Sequence, residues 1–165
     1  HLGTAERGSL RPDEHWGQLK FPQRTSSTTV ANGMEARLIE AEAALRQVIA
    51  GVPASVGIHN TLRTEEGLTS LNLATVAAMS QDERVDLHFA ERAYWLYLTS
   101  HRLGDLRRLL WDYGRTAEEV FPTGEYYRTG APYGTDTNFA IPFDESNNPL
   151  SEGCLTRDDE AGRHA

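Results

Sequence analysis

The stretch from Ser80 to Tyr113 constrains the fold more than any other part of the chain. Ser80 and Glu83 have the spacing of a capping box. Asp82 and Asp86 add carboxylates to the first turn, where they favour the positive helix end, so a helix is expected from about residue 81. Val85, Phe89 and Leu96 recur at helical spacing, and Leu87, Tyr94 and Leu98 form a second row. Two apolar stripes predict a central helix packed on both sides. Leu103, Leu106, Leu109, Leu110 and Tyr113 continue the period past Gly104, so the chain either kinks there or begins a further helix that Gly114 ends.

Upstream, Asn32 can cap a helix with Glu35 three residues on. Leu38, Ala41, Leu45, Val48 and Ile49 keep helical spacing until Gly51 and Pro53, which predicts a helix over 34–50. A second helix is expected from about Ser55 to Thr64, terminated by Gly67; Leu68 to Met79 is ambiguous. Composition agrees with a mainly α fold: 18 Ala stand against 11 Val and Ile, and β-branched residues are what a sheet selects, so an all-β sandwich is disfavoured. Leu, Ile, Val and Phe together make up 34 of 165 residues. That share is close to the roughly 20 % below which a chain rarely buries a core, so the core is thin. Residues 1–31 read as an extended lead-in. From Thr116 onward Pro, Gly and Asn imply long irregular loops, which still carry Phe121, Tyr126, Tyr127, Tyr133, Phe139, Ile141 and Phe143 and are expected to wrap the helices.

Several function classes find no support in the residues. Residues 1–115 hold 13 bases and 14 acids, and residues 116–165 hold 3 and 10, so no basic face for nucleic acid is expected. No apolar run reaches the ~18 residues of a membrane span. Cys154 is the single cysteine and lies between Glu152 and Asp158, which suppress a thiolate. His59, His88 and His101 could gather on a metal with Glu91 or Asp105, but no second Glu-x-x-His unit accompanies His88, and solvated or hydrogen-bonded histidines are the simpler reading. Adjacent acids such as Glu118 with Glu119, or Asp144 with Glu145, read as surface charge rather than a glycosidase pair. Neither a nucleophile elbow nor a phosphate loop occurs. The expectation is a protein that is not an enzyme and needs no cofactor.

The sharpest local pattern runs Glu91-Arg92-Ala93-Tyr94-Trp95-Leu96-Tyr97, then His101-Arg102-Leu103-Gly104-Asp105-Leu106-Arg107-Arg108. Ionic and bulky apolar residues alternate within a helical region, so the charges cannot all face water. Arg92, Arg102 and Arg108 against Glu91 and Asp105 read as a partly buried ion-pair network that sets a helix crossing, with Arg108 reaching back one turn to Asp105. An anionic ligand bridging the arginines is the competing reading.

This pattern resembles the signature of the SusD/RagB family of outer-membrane nutrient-binding lipoproteins, in which a Glu-Arg dipeptide opens a helical stretch closed by Arg-x-x-Asp-Leu-Arg-Arg. Three further segments resemble the family in the same order: Glu35-Ala36-Arg37-Leu38-Ile39-Glu40-Ala41-Glu42-Ala43, then Asn60-Thr61-Leu62-Arg63-Thr64 with Gly67-Leu68, then Asn138 to Glu145 with Asn147-Asn148-Pro149-Leu150. The likeness covers 32–154, read as a SusD/RagB-like C-terminal helical region, and leaves 155–165 as an acidic disordered tail. Family members are longer and begin with an acylated cysteine. The expectation is therefore a fragment of a TPR-like, SusD-like superhelix whose lipid anchor is absent from this chain.

The resemblance implies binding of an oligosaccharide or peptide at the cell surface, for import through a SusC-like TonB-dependent transporter of the outer membrane. Tyr126, Tyr127 and Tyr133 are the candidate ligand contacts, since sugar C–H faces stack on aromatic rings; Trp95, Tyr97 and Trp111 are assigned to the core. Two alternatives come from other classes. One is a free-standing helical-repeat module that binds a protein partner in its groove; the other is a hydrolase using Glu125 or Asp136. Stripes left without their neighbouring repeats also predict marginal stability or self-association of the isolated 165 residues.

Overall fold

The computed structural model describes residues 19–134 and residue 137. Most of the extended lead-in, the Asn138–Leu150 segment, Cys154 and the acidic tail lie outside the described residues. The chain forms two compact units, His1–Thr99 and Ser100–Ala165. The fold is mainly α, and among the described residues no strand forms beyond a single antiparallel bridge between Glu125 and Pro132.

In the first unit α1 spans Gly33–Leu45, and Asn32 caps it by accepting a hydrogen bond from the Glu35 amide at 2.8 Å. The helix ends five residues short of its expected limit. A short 3-10 turn, Val48–Gly51, leads directly into α2 at Val52–Glu65, and Pro53 sits in the first turn of α2, where its missing N–H is no loss. Val48 takes a left-handed φ of 56° and is exposed, as is Ile49, so neither extends the apolar stripe. Gly51 explains the reversal. A Cβ there would overlap the Ala44 carbonyl, so only glycine lets the entry to α2 press against the end of α1. Gly67 ends α2 at φ 68°, with its own N–H on Thr64 O at 3.1 Å and the Leu68 N–H on Arg63 O at 2.8 Å, a Schellman motif.

The ambiguous stretch holds a short helix, α3 at Leu73–Ala78, capped by Asn72 through the Thr75 amide at 3.0 Å. Helix α4, Gln81–Trp95, starts where the Ser80–Glu83 capping box places it: the Glu83 amide donates to Ser80 Oγ at 3.2 Å, and the Ser80 amide to Glu83 Oε2 at 2.7 Å. The helical period then breaks at 96–101 rather than at Gly104. Leu98 and Ser100 take left-handed φ values of 59° and 66°, and the Thr99 hydroxyl donates to Leu96 O, a side-chain bond that competes with helix continuation. The first expected stripe of α4 is covered throughout and the second only at Leu87, which packs against a core cluster. Val85, Phe89 and Leu96 are buried, whereas Tyr94 is 81 % exposed and Leu98 is also exposed.

Two small apolar clusters hold the unit. Leu38, Leu62 and Leu96 meet with Met34 and Trp95 alongside; Val52, Val56 and Val76 meet with Leu71, Met79 and Leu87. Polar ties fill the remainder. Asn60 exchanges two hydrogen bonds with the Leu71 backbone, at 2.6 and 3.0 Å, and Gln81 Nε2 donates to Leu45 O at 3.1 Å. The Arg84 guanidinium, buried, donates to Met79 O at 2.7 Å and thereby holds the exit of α3 against α4.

The second unit begins with α5, Arg102–Trp111, which contains Gly104 in its interior and buries Leu106 and Leu109. Gly114 follows at φ 66° and turns the chain so that the Arg115 amide returns to Leu109 O at 3.0 Å. A one-turn helix, α6 at Ala117–Val120, lies where loop was expected; Thr116 and Glu119 form a capping box. Trp111, assigned to the core from sequence, is 53 % exposed and lies under Arg107, whose guanidinium carbon is 4.2 Å from the ring centroid. Tyr97 of the first unit is likewise exposed at 58 %, while Trp95 is half-buried.

Candidate functional site

The three tyrosines singled out from sequence meet in one loop. Gly124 and Gly130, both with φ near 70°, allow the segment to fold back on itself. The Tyr126 amide donates to Ala131 O at 2.8 Å, and the Tyr133 amide to Gly124 O at 2.9 Å. Tyr126 O accepts from the Thr129 and Gly130 amides, closing the tip. Tyr126 is the half-buried centre of the aromatic group. Its ring centroid lies 4.9 Å from Tyr127 and 5.8 Å from Tyr133, both edge-to-face. Tyr127 is 79 % exposed and Tyr133 39 %, so two rings open outward from one supported ring. Arg128 restrains the outermost ring: its Nε donates to Tyr127 Oη at 2.9 Å, and its guanidinium carbon stands 5.5 Å from the Tyr127 centroid. Such a platform offers apolar faces to C–H groups and phenol hydroxyls to polar neighbours.

Within each unit an ion pair involves the charged residues expected to form a network. Glu91, buried on α4, accepts from Arg63 Nη1 of α2 at 2.5 Å and from Trp95 Nε1 at 3.0 Å. Arg63 in turn donates to Thr69 O at 2.6 Å, so one ion pair ties two helices and the loop between α2 and α3. The pairing of Arg63 with Glu91 was not legible in the sequence because the two are 28 positions apart. In the second unit Asp105 pairs with Arg108 at 3.5 Å, the one-turn contact expected, and Arg108 Nε also approaches Asp112 at 3.6 Å. Arg92 is buried and Arg102 exposed.

Two of the three histidines, His59 and His88, meet within the first unit. His59 of α2 and His88 of α4 are fully enclosed, with Nε2 of the former 3.2 Å from Nδ1 of the latter. On its far side, His88 Nε2 lies 3.5 Å from Glu42 Oε2 of α1, itself buried and paired with Arg46 at 3.5 Å. Burial above all, then the charges of His88 and Arg63, lowers the His59 pKa from 6.5 to about 4, so this imidazole is neutral at physiological pH. No local signal ties Glu42 to His88, because the two stand on different helices, α1 and α4. No group of three or more His, Cys, Asp or Glu side chains among the described residues is arranged to hold a metal.

A groove of about 620 Å³ runs along the first unit between α1 and α2, closed at one side by Trp95. Met34, Ile58 and Leu62 line it with Trp95, and Gly33, Ala54 and Gly57 leave it open. Arg37, Thr61, Glu65 and Glu66 supply its polar groups.

No helix among the described residues is long and apolar enough to cross a membrane. Compared with family models, with curated proteins and with solved structures, the chain matches none.

Proposed function

We propose that this chain is the C-terminal helical part of a SusD/RagB-like nutrient-binding protein. On this reading it binds an oligosaccharide or peptide at the outer-membrane surface without transforming it, and passes it to a SusC-like TonB-dependent transporter. The observation that carries the reading is the tyrosine loop, in which Tyr127 and Tyr133 open outward from Tyr126 in the arrangement that stacks on sugar rings. Further support comes from α1 and α2, packed together across a short connection, which is the kind of unit that a TPR-like superhelix stacks. The ordered motifs around Glu35, Asn60 and Glu91 add the family resemblance.

The test is calorimetric titration of the full chain with a panel of neutral and acidic oligosaccharides and short peptides, with product analysis for cleavage. One class should bind and be recovered intact. Tyr127→Ala with Tyr133→Ala should weaken that binding at least about tenfold, or about 1.4 kcal/mol. Binding to none of the panel, equal binding by the double variant, or cleavage of a bound glycan would each refute the proposal.

A further inference from the structure

The groove of the first unit is the feature that neither the tyrosine loop nor the packing of the core accounts for. Two choices in α2 work against the helix and both face this groove. Gly57 stands in the middle of the helix, where glycine destabilises by roughly 0.5–1 kcal/mol relative to alanine. No backbone need explains it, since its φ is not left-handed and a Cβ there would meet nothing within 4 Å. What the missing side chain preserves is open space in the groove. Glu65 and Glu66 close α2 at its C-terminal end, where the helix dipole disfavours carboxylates, and both line the same groove. Local rules broken together on one surface point to binding rather than to folding.

The walls specify the chemistry of the occupant. Met34, Ile58 and Leu62 make an apolar floor, and Trp95 is held in place beside it, because its indole N–H donates to Glu91, which Arg63 also grips. Arg37 at the other rim is neutralised by Glu40 at 2.7 Å, leaving the charge of the groove to Glu65 and Glu66. The volume, about 620 Å³, lies within the roughly 300–1,000 Å³ of sites that enclose a ligand or side-chain cluster. We infer that this groove binds a basic peptide segment, with a bulky aliphatic or aromatic side chain on the apolar floor and a neighbouring lysine or arginine held by Glu65 and Glu66. The site is built from residues of the first unit alone and does not depend on what the tyrosine loop binds.

The test uses the full chain and fluorescence anisotropy with a labelled peptide whose core is lysine, leucine, phenylalanine, lysine between glycines. One control peptide replaces both lysines with glutamate, and another replaces the leucine and phenylalanine with alanine. The basic apolar peptide should bind at least about tenfold more tightly than either control. Gly57→Leu projects a side chain into the groove from a Cβ that meets nothing within 4 Å, and should weaken binding at least tenfold, while its circular-dichroism melting temperature stays level or rises; Gly57→Ala should give a smaller loss in the same direction. Glu65→Gln with Glu66→Gln should weaken binding about fivefold and flatten its salt dependence. The inference is overturned if the basic peptide does not bind, if the acidic control binds equally, or if Gly57→Leu binds as well as wild type. Concentration-dependent dimerisation abolished by Gly57→Leu would overturn it as well, since a second copy would then be the occupant.

Discussion

The burial of His59 makes the stability of this protein depend on pH between about 6.5 and 4. His59 is enclosed between α2 and α4, with His88 at 3.2 Å and Arg63 one turn further along its own helix; Glu42 reaches it only through His88. Its pKa falls from 6.5 in the unfolded chain to about 4 in the fold. Between those values the unfolded chain binds a proton that the folded chain refuses, so stability rises with pH there. The contribution is complete above about pH 6.5 and is lost as pH falls toward 4. Each pH unit inside the window corresponds to about 1.4 kcal/mol for one proton, so acidification from pH 7.5 to 4.5 should remove about 2 kcal/mol through this residue. That is a large share of the roughly 5–15 kcal/mol that holds a typical domain. Urea unfolding followed by far-ultraviolet circular dichroism at pH 7.5, 6.5, 5.5 and 4.5 reads the effect. His59→Gln keeps a polar group facing His88 but cannot titrate, so the wild type should lose about 2 kcal/mol more than this variant over the range. Parallel stability curves for the two proteins between pH 6.5 and 4.5 would refute the reasoning.

Three further substitutions separate backbone from side-chain effects. Gly51→Ala places a Cβ against the Ala44 carbonyl and should destabilise by about 1–3 kcal/mol in urea unfolding; a neutral result would mean that the α1–α2 connection does not pack as described. Val48→Asn should stabilise by about 1 kcal/mol, because a β-branched residue is strained at φ 56° whereas asparagine tolerates it, and the exposed valine gives up little packing; a loss of stability would count against that turn. Glu91→Ala leaves Arg63 and the Trp95 indole N–H without their shared carboxylate and should cost about 2–3 kcal/mol, with a shift in tryptophan emission; an unchanged melting curve would argue against the tie between α2 and α4.

The starts of α1 and α4 were legible because cap and recipient lie within three residues and an apolar helical period follows. Asn32 with Glu35 and Ser80 with Glu83 announced α1 and α4. The Thr116–Glu119 box carries the same signal for α6, but only one turn of helix follows it, too short for a helical period to show in the sequence. Ends were harder where steric contact decides them. Val48 and Ile49 fit the helical period of α1, but the chain turns before reaching them so that Gly51 can press on Ala44. Gly104 looked like a break and is helical, whereas the real break lies at Leu98 and Ser100, residues with no strong preference for positive φ. In the candidate sites the tyrosines could be gathered from sequence because they occupy one loop of about ten residues. The groove could not, since its walls come from three helices.

The sequence by itself determined the helical class, the caps of α1 and α4, the Gly67 terminus of α2 and the tyrosine loop, because each follows from hydrogen-bonding or aromatic groups close together along the chain. Tertiary structure alone decided that Glu91 pairs with Arg63, that His59 meets His88 and His88 meets Glu42 away from water, and that Gly57 opens onto a groove. Those partners lie on different helices, and burial, charge and shape at such contacts are set by how the helices cross, which no local pattern encodes.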